Sequence, residues 1–177
     1  MLAYPETQYR AQAEIDAVVG RARPPSFDDY PHLPYIRAMV KELLRWRPVA
    51  PVAAPHRCTE DDWYEGKFIP KGAICFPNVW YMNRDPEIFG ENAAEFDPAR
   101  HLDANGDTAL GASDTKKEHS SYGFGRRICP GRHLANNSLF IDIAVLLWAT
   151  KIERKRDVSG QLIPLDLDGF EDTGLTV

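Results

Sequence analysis

Apolar residues recur at helical spacing in three stretches of the chain. In the first, Pro5 to Val19, residues Ala11, Ile15, Val18 and Val19 share one side, which predicts a helix stopped by Gly20. Arg21 to Leu33 is rich in Pro and Asp and reads as a connector without a long element. Pro34 suits a first helical position. From Tyr35 to Trp46, residues Ile36, Val40, Leu43 and Leu44 fall at i, i+4, i+7 and i+8, a single apolar stripe. Pro48 ends this helix and biases Arg47 to an extended shape.

The middle of the chain loses the helical period. Pro51 to Arg57 is apolar and extended. Trp63 to Phe68 and Ala73 to Val79 read as short strands flanking the turn Ile69-Pro-Lys-Gly72. Asn83 to Pro86 opens a short turn or helix. Asn92 to His119 is polar and aperiodic, an irregular loop ordered by packing, with Asp103 to Lys117 its most mobile part. The tail from Val158 to Val177 alternates weakly around Gly160, Pro164 and Gly174, which predicts a strand hairpin. The fold class is mainly α with small β-sheets, and there are no internal repeats.

The third helical stretch, Gly131 to Thr150, is unlike the other two. At 100° steps, Leu134, Leu139, Phe140, Ile141, Ile143, Val145, Leu146, Leu147 and Trp148 surround its axis almost completely. A helix apolar all round is buried or in a membrane. This one is too short and too interrupted, by Asn136, Asn137 and Asp142, to cross a bilayer. It therefore belongs at the centre of something larger than two other helices and a small sheet.

Composition narrows the class. A chain of 177 residues with 44% hydrophobic positions supports one domain with a core. The net charge of −5 argues against a nucleic-acid surface. Three widely spaced cysteines give no disulfide framework, and Cys58 and Cys75 read as small buried hydrophobes. His32, His101, His119 and His133 have no metal-ligand spacing and read as solvated. No signal peptide or membrane-length apolar run is present, so the chain as it stands is expected to be soluble and cytoplasmic.

The decisive chemistry lies in Tyr122-Gly-Phe-Gly-Arg-Arg-Ile-Cys-Pro-Gly131. Its glycines allow tight turning and close approach to a flat ligand. Arg127 offers a forked cation suited to a carboxylate. The following helix start supplies free N–H groups and a positive dipole end, which favour a thiolate at Cys129. Thiolates are soft metal ligands, and thiolate-ligated heme is one use of them.

This decapeptide resembles the heme-binding loop of the cytochrome P-450 family of heme-thiolate monooxygenases. Gly125, Arg127, Cys129 and Gly131 match at the family's spacing, and Tyr122 stands where Phe is usual, adding a hydroxyl that needs a partner. The resemblance covers almost the whole chain. It implies that residues 1–177 are the C-terminal heme-binding part of a single cytochrome P-450 domain, a truncated portion of that fold. Met1 to Gly20 would be the helix after the central oxygen-binding helix. That central helix and the N-terminal part would be absent, and a last short strand would follow Val177.

Further residues join through the resemblance. Glu42-Leu-Leu-Arg45 matches the family's Glu-x-x-Arg, and Phe96-Asp-Pro-Ala-Arg100 the loop that pairs with it, so Glu42, Arg45 and Arg100 would form a structural triad. Helical spacing alone argues otherwise, because Glu42 and Arg45 lie opposite the apolar stripe and would pair in solvent. His56, in Pro55-His-Arg57, matches a basic residue that binds a heme propionate, and Val49 to Ala54 resembles the segment crossing the heme face. Phe170 to Gly174 reads either as a substrate-facing turn or as a plain hairpin. The implied cofactor is heme b (iron protoporphyrin IX), held at the axial position by Cys129. The implied reaction inserts one oxygen atom from O2 into an apolar small-molecule substrate. The implied partner is an NADPH-dependent reductase docking near Arg126 and Arg132. A full-length member would sit at the endoplasmic reticulum membrane. Alternatives are a truncated, non-catalytic fragment and a heme-thiolate isomerase or peroxygenase.

Overall fold

The computed structural model describes residues 1–108 and 119–166. Along the chain come α1 (Pro5–Val18), α2 (Pro34–Trp46) and four short strands, β1 (His56–Arg57), β2 (Asp62–Tyr64), β3 (Lys67–Ile69) and β4 (Ile74–Cys75). The single-turn helices α3 (Val79–Met82) and α4 (Pro86–Phe89) follow, and then α5 (Arg132–Ala149).

Helices α1, α2 and α5 enclose the core. Ala11 and Ile15 of α1, Ile36, Met39 and Val40 of α2, and Phe140, Ala144 and Leu147 of α5 form one buried cluster with Leu33 and Tyr35. Tyr30 packs edge-on against Phe140 at 4.7 Å between ring centroids. Side chains from α1 finish its neighbours. The Glu14 carboxylate accepts from the Tyr35 and Ile36 N–H groups, 2.8 and 3.1 Å away, in place of a cap within α2. Gln12 donates to the Leu147 and Thr150 carbonyls at the end of α5. Gln8 exchanges two bonds with the Ile152 main chain. Gly20 follows α1 with φ +72° and donates to Ile15 O, the helix stop expected there.

The apolar stripe of α2 misjudges its burial. Glu42 and Arg45 are wholly buried, whereas Leu43 is 36% exposed and Leu44 half-buried. Nearly every side of this helix is covered. The all-round apolar character of α5 is matched on one side: Phe140, Ala144 and Leu147 are buried, while Leu134, Val145 and Leu146 face outward, Leu134 at 74% exposure. Among the described residues no helix is long and apolar enough to cross a membrane.

The strands depart from the sequence expectation. Trp63 to Phe68 is not one strand, because Glu65 and Gly66 both take positive φ and fold β2 back on β3, pairing Trp63 with Phe68. A two-residue turn of positive φ is the geometry that suits a twisted hairpin. The turn at Ile69 to Gly72 exists, with Ala73 N–H donating to Pro70 O, but it leads instead to β4, which pairs with β1. The connector between α1 and α2 holds a 3-10 helix, Phe27–His32, started by a reciprocal cap between Ser26 and Asp29. Within the expected mobile loop, Asp103 to Thr108 is a turn held by the Asp103 carboxylate and joined to α2 by Arg37, which bonds Asp107 and Thr108. The tail turn begins earlier than Val158, with a bridge between Arg156 and Leu162. The rest of that expected hairpin, Phe170 to Gly174 included, lies outside the described residues, as does the remainder of the loop.

Ile36→Ala should lower stability by about 2–5 kcal/mol, the usual cost of emptying a packed aliphatic site. Urea unfolding measures it, and a loss well under about 1 kcal/mol would place the core elsewhere.

Candidate functional site

Arg45 is a fully buried cation, so each of its donors needs an acceptor. Nε and Nη2 fork onto the Glu42 carboxylate, both at 2.7 Å. Nη1 donates to the carbonyls of Asn83 and Ala93, each at 2.6 Å, and Nη2 also to Glu95 O at 2.8 Å. Glu42 is as fully used. It accepts from Arg100 Nε at 3.1 Å and from Asp97 N–H at 2.8 Å, and its Oε2 lies 2.9 Å from His101 Nε2. The side chains of Glu42, Arg45 and Arg100 thus meet in direct bonds, and His101 joins them. The spacing in α2 that suggested a solvated pair is met by a segment, Asn83 to His101, that wraps over that face.

His101 and His119 are therefore not solvated; His32 and His133 are. Burial pushes the His119 imidazole down to about 4, and the neighbouring charges of His101, Lys41 and Arg45 add to this. Its Nδ1 accepts from Ser121 N–H, and its ring lies 5.3 Å from that of Tyr122. Burial pushes the Glu42 carboxyl up, but the bonds from Arg45, His101 and Asp97 outweigh it and hold the group at about 2.

The glycine-punctuated loop leads from this network to α5. Gly123 and Gly125 have φ of +73° and +57° with open space around them, so backbone conformation, rather than packing, calls for glycine there. Between them and Cys129 lies a 3-10 turn, Gly125–Arg127. Cys129 N–H donates to Tyr122 O at 2.8 Å, which closes the loop. The thiol is half-buried. A Cβ at Gly131 would come within 3.8 Å of Cys129 Sγ, so glycine keeps space open beside the sulfur. The Tyr122 hydroxyl donates to Asn136 Oδ1 at 2.7 Å, the partner its extra oxygen requires. Burial, and next the charge of Cys129, raise the phenol's pKa, so it stays protonated.

Around the thiol, Phe124 and Ile128 are exposed apolar side chains, and Arg126 and Arg127 are exposed cations. His56 is exposed on β1, with Val49 and Val52 exposed just before it. No direct side-chain bond joins His56 or Arg127 to the rest of the set among the described residues. Cys58 and Cys75 are not buried hydrophobes: β1 and β4 form a sheet of two strands, which leaves Cys75 exposed and Cys58 half-buried. No group of three or more His, Cys, Asp or Glu side chains among the described residues is placed to hold a bare metal ion. Two features had no signal in the sequence: Asn83, buried beside Arg45, and His101 on Glu42.

The family model described as Cytochrome P450 matches residues 1–164. A cytochrome P450 monooxygenase of Armillaria gallica is 66% identical over 176 residues, covering 99% of this chain and 34% of that protein. A second from the same fungus is 59% identical over 177 residues, and cytochrome P450 monooxygenase 58 of Postia placenta is 55% identical over 175. The second covers all of this chain and 34% of its own length; the third covers 99% and 33%. The chain belongs to the cytochrome P450 family. It spans about a third of the length of the curated relatives it matches.

Arg45→Ala should cost about 3–5 kcal/mol by leaving Glu42 buried without its main partner, and Arg45→Lys should recover little, since an ammonium cannot fork. Chemical denaturation of the two variants checks this.

Acid should destabilise the chain in two stages. His119 is depressed to about 4 from 6.5, and Glu42 to about 2 from 4.5, so the unfolded chain binds more protons in both windows. Their contributions are complete above the unfolded values. They fade between 6.5 and 4 for His119, then between 4.5 and 2 for Glu42. Thermal midpoints against pH should show the upper stage vanish in His119→Gln.

Proposed function

We propose that these residues are the C-terminal, heme-carrying part of a cytochrome P450 monooxygenase that inserts one oxygen atom from O2 into an apolar organic substrate. The observation that carries this reading is the half-buried Cys129, anchored through its N–H to Tyr122, with Gly131 presenting no side chain toward the sulfur. The donor set fits heme b: one thiol, apolar Phe124 and Ile128 for a flat macrocycle, and the exposed cations Arg127 and His56 for its carboxylates. A thiolate-ligated heme supplies oxygen activation, with electron donation from sulfur favouring O–O cleavage.

The protein's own part is positional. Cys129 would hold the heme iron through its sulfur. Gly131 keeps a side chain out of the space beside it. Tyr122, fixed by Asn136, remains a neutral phenol and adds no charge next to the thiolate. Arg127 and His56 would neutralise the propionates, and Val49 to Ala54 would offer an apolar surface on the substrate side. Arg126 and Arg132 give the loop a basic rim for an NADPH-dependent reductase of opposite charge. A full-length protein of this kind sits at the endoplasmic reticulum membrane.

A second reading is favoured by α5. Its exposed Leu134, Val145 and Leu146 leave an apolar face without cover, and on this reading residues 1–177 alone bind without catalysing. An isomerase or peroxygenase reaction on the same heme is the remaining alternative, since the Cys129 loop would serve each of them alike.

The reduced, carbon-monoxide-bound absorption spectrum tests the reading on this chain and on a protein of the relatives' full length, both expressed with heme supply. A strongly red-shifted Soret band that is lost in Cys129→Ser supports it; an unchanged band in that variant would rule Cys129 out. Neutralising Arg126 and Arg132 should weaken reductase binding and flatten its salt dependence, measured by titration at two ionic strengths.

A further inference from the structure

We infer that Asn83, which lies outside the glycine-arginine loop, is a positioning residue that fixes where Cys129 sits by joining the end of α2 to the start of that loop. The inference rests on reading Cys129 as the iron ligand.

Its basis is the capping of α2. The last carbonyls of a helix have no partner within it. Here Leu43 O takes the C-cap's own bond from Arg47 N–H, and the other three are met from outside: Leu44 O by the Ser121 hydroxyl at 2.6 Å, Arg45 O by Asn83 Nδ2 at 3.2 Å, and Trp46 O by Arg84. Two of the four caps therefore come from Asn83 and Ser121, and these two are bonded to each other, Asn83 Nδ2 to Ser121 Oγ at 3.0 Å. The Asn83 side-chain oxygen accepts from Ser120 N–H at 2.7 Å. Both ends of one amide are thus used, at a residue with no exposure to solvent.

The consequence reaches the thiol in two steps. Ser120 and Ser121 lie directly before Tyr122, in a stretch with no helix or strand of its own. Its place is set by these side-chain bonds. Tyr122 O then receives the Cys129 N–H. The main-chain carbonyl of Asn83 also accepts from Arg45 Nη1, so the Glu42–Arg45 pair and the cysteine loop share one residue. An amide suits this position because it offers two donors and an acceptor with no charge beside a buried guanidinium.

The test uses hydrogen exchange on the full chain without heme, in Asn83→Ala, Ser121→Ala and Ser121→Thr. Ser121→Ala removes one half-buried hydroxyl, so it remains informative if Asn83→Ala does not fold. Exchange at the Ser120 and Cys129 amides should rise about tenfold in both alanine variants, the effect of losing roughly one hydrogen bond. Exchange at Ala144 in α5 should not change, and Ser121→Thr, which keeps the hydroxyl, should behave as the parent. Unchanged exchange at Ser120 and Cys129, or an equal rise at Ala144, overturns the inference. In the heme-loaded protein, the red-shifted carbon-monoxide band should diminish in Ser121→Ala and persist in Ser121→Thr. If the parent itself lacks that band, the ligand assignment fails, while hydrogen exchange still decides whether Asn83 positions the loop.

Discussion

A guanidinium shut away from water must be bonded at every donor, and Arg45 meets that demand with acceptors both near and distant along the chain. One is the Glu42 carboxylate, a turn away on α2. The others are carbonyls of Asn83, Ala93 and Glu95. The stretch from Asn83 to His101 contains only single turns of helix. It has little regular hydrogen bonding to hold it, and three side chains of α2, Glu42, Arg45 and Trp46, bond along it. Removing either charge would leave the other buried; loss of Arg45 would also release the three carbonyls, and loss of Glu42 the Asp97 N–H and Arg100. The cost of desolvating these ions is met by the completeness of the network.

The same end of α2 is where the charge network and the cysteine loop meet. Leu44 and Arg45 present carbonyls that Ser121 and Asn83 occupy, and the loop begins at once from there. His119, caught between Tyr122 and a group of cations, is held neutral mainly by burial. Tyr122 is kept neutral by burial and by the sulfur's charge. Both rings beside the loop, His119 and Tyr122, are thus held in their neutral forms.

The three helices were legible because each buries enough apolar residues at regular spacing, and their stops, Gly20 and Pro48, have strong local chemistry. The cysteine loop was legible because its demands are local too: glycine where φ is positive, and cysteine just before a helix. What periodicity could not show was the burial of Glu42 and Arg45. Their acceptors are mostly main-chain carbonyls, which carry no sequence signature. Asn83 was unreadable for the same reason, since an asparagine before a turn is ordinary until its distant partners are known. His101 is a case apart: its neighbour Arg100 was expected at Glu42, and the 3-10 turn Pro98–His101 brings both onto one carboxylate. The Glu65-Gly66 turn was missed because the run around it is apolar and aromatic enough to read as one strand.

Gln8 and Gln12 use their side-chain amides as if they were main chain, one pairing with Ile152 and the other closing the carbonyls at the end of α5. They stand four residues apart, about one turn of helix, so both point the same way. Inserting or deleting a single residue between Gln8 and Gln12 would swing one side chain by about 100° relative to the other and part it from its acceptor. Over evolutionary time, then, α1 should tolerate exchange of its outward residues and resist any change in length, while the surface turns absorb insertions. The first helix acts as a gauge: its reading frame measures out where the last helix must stop.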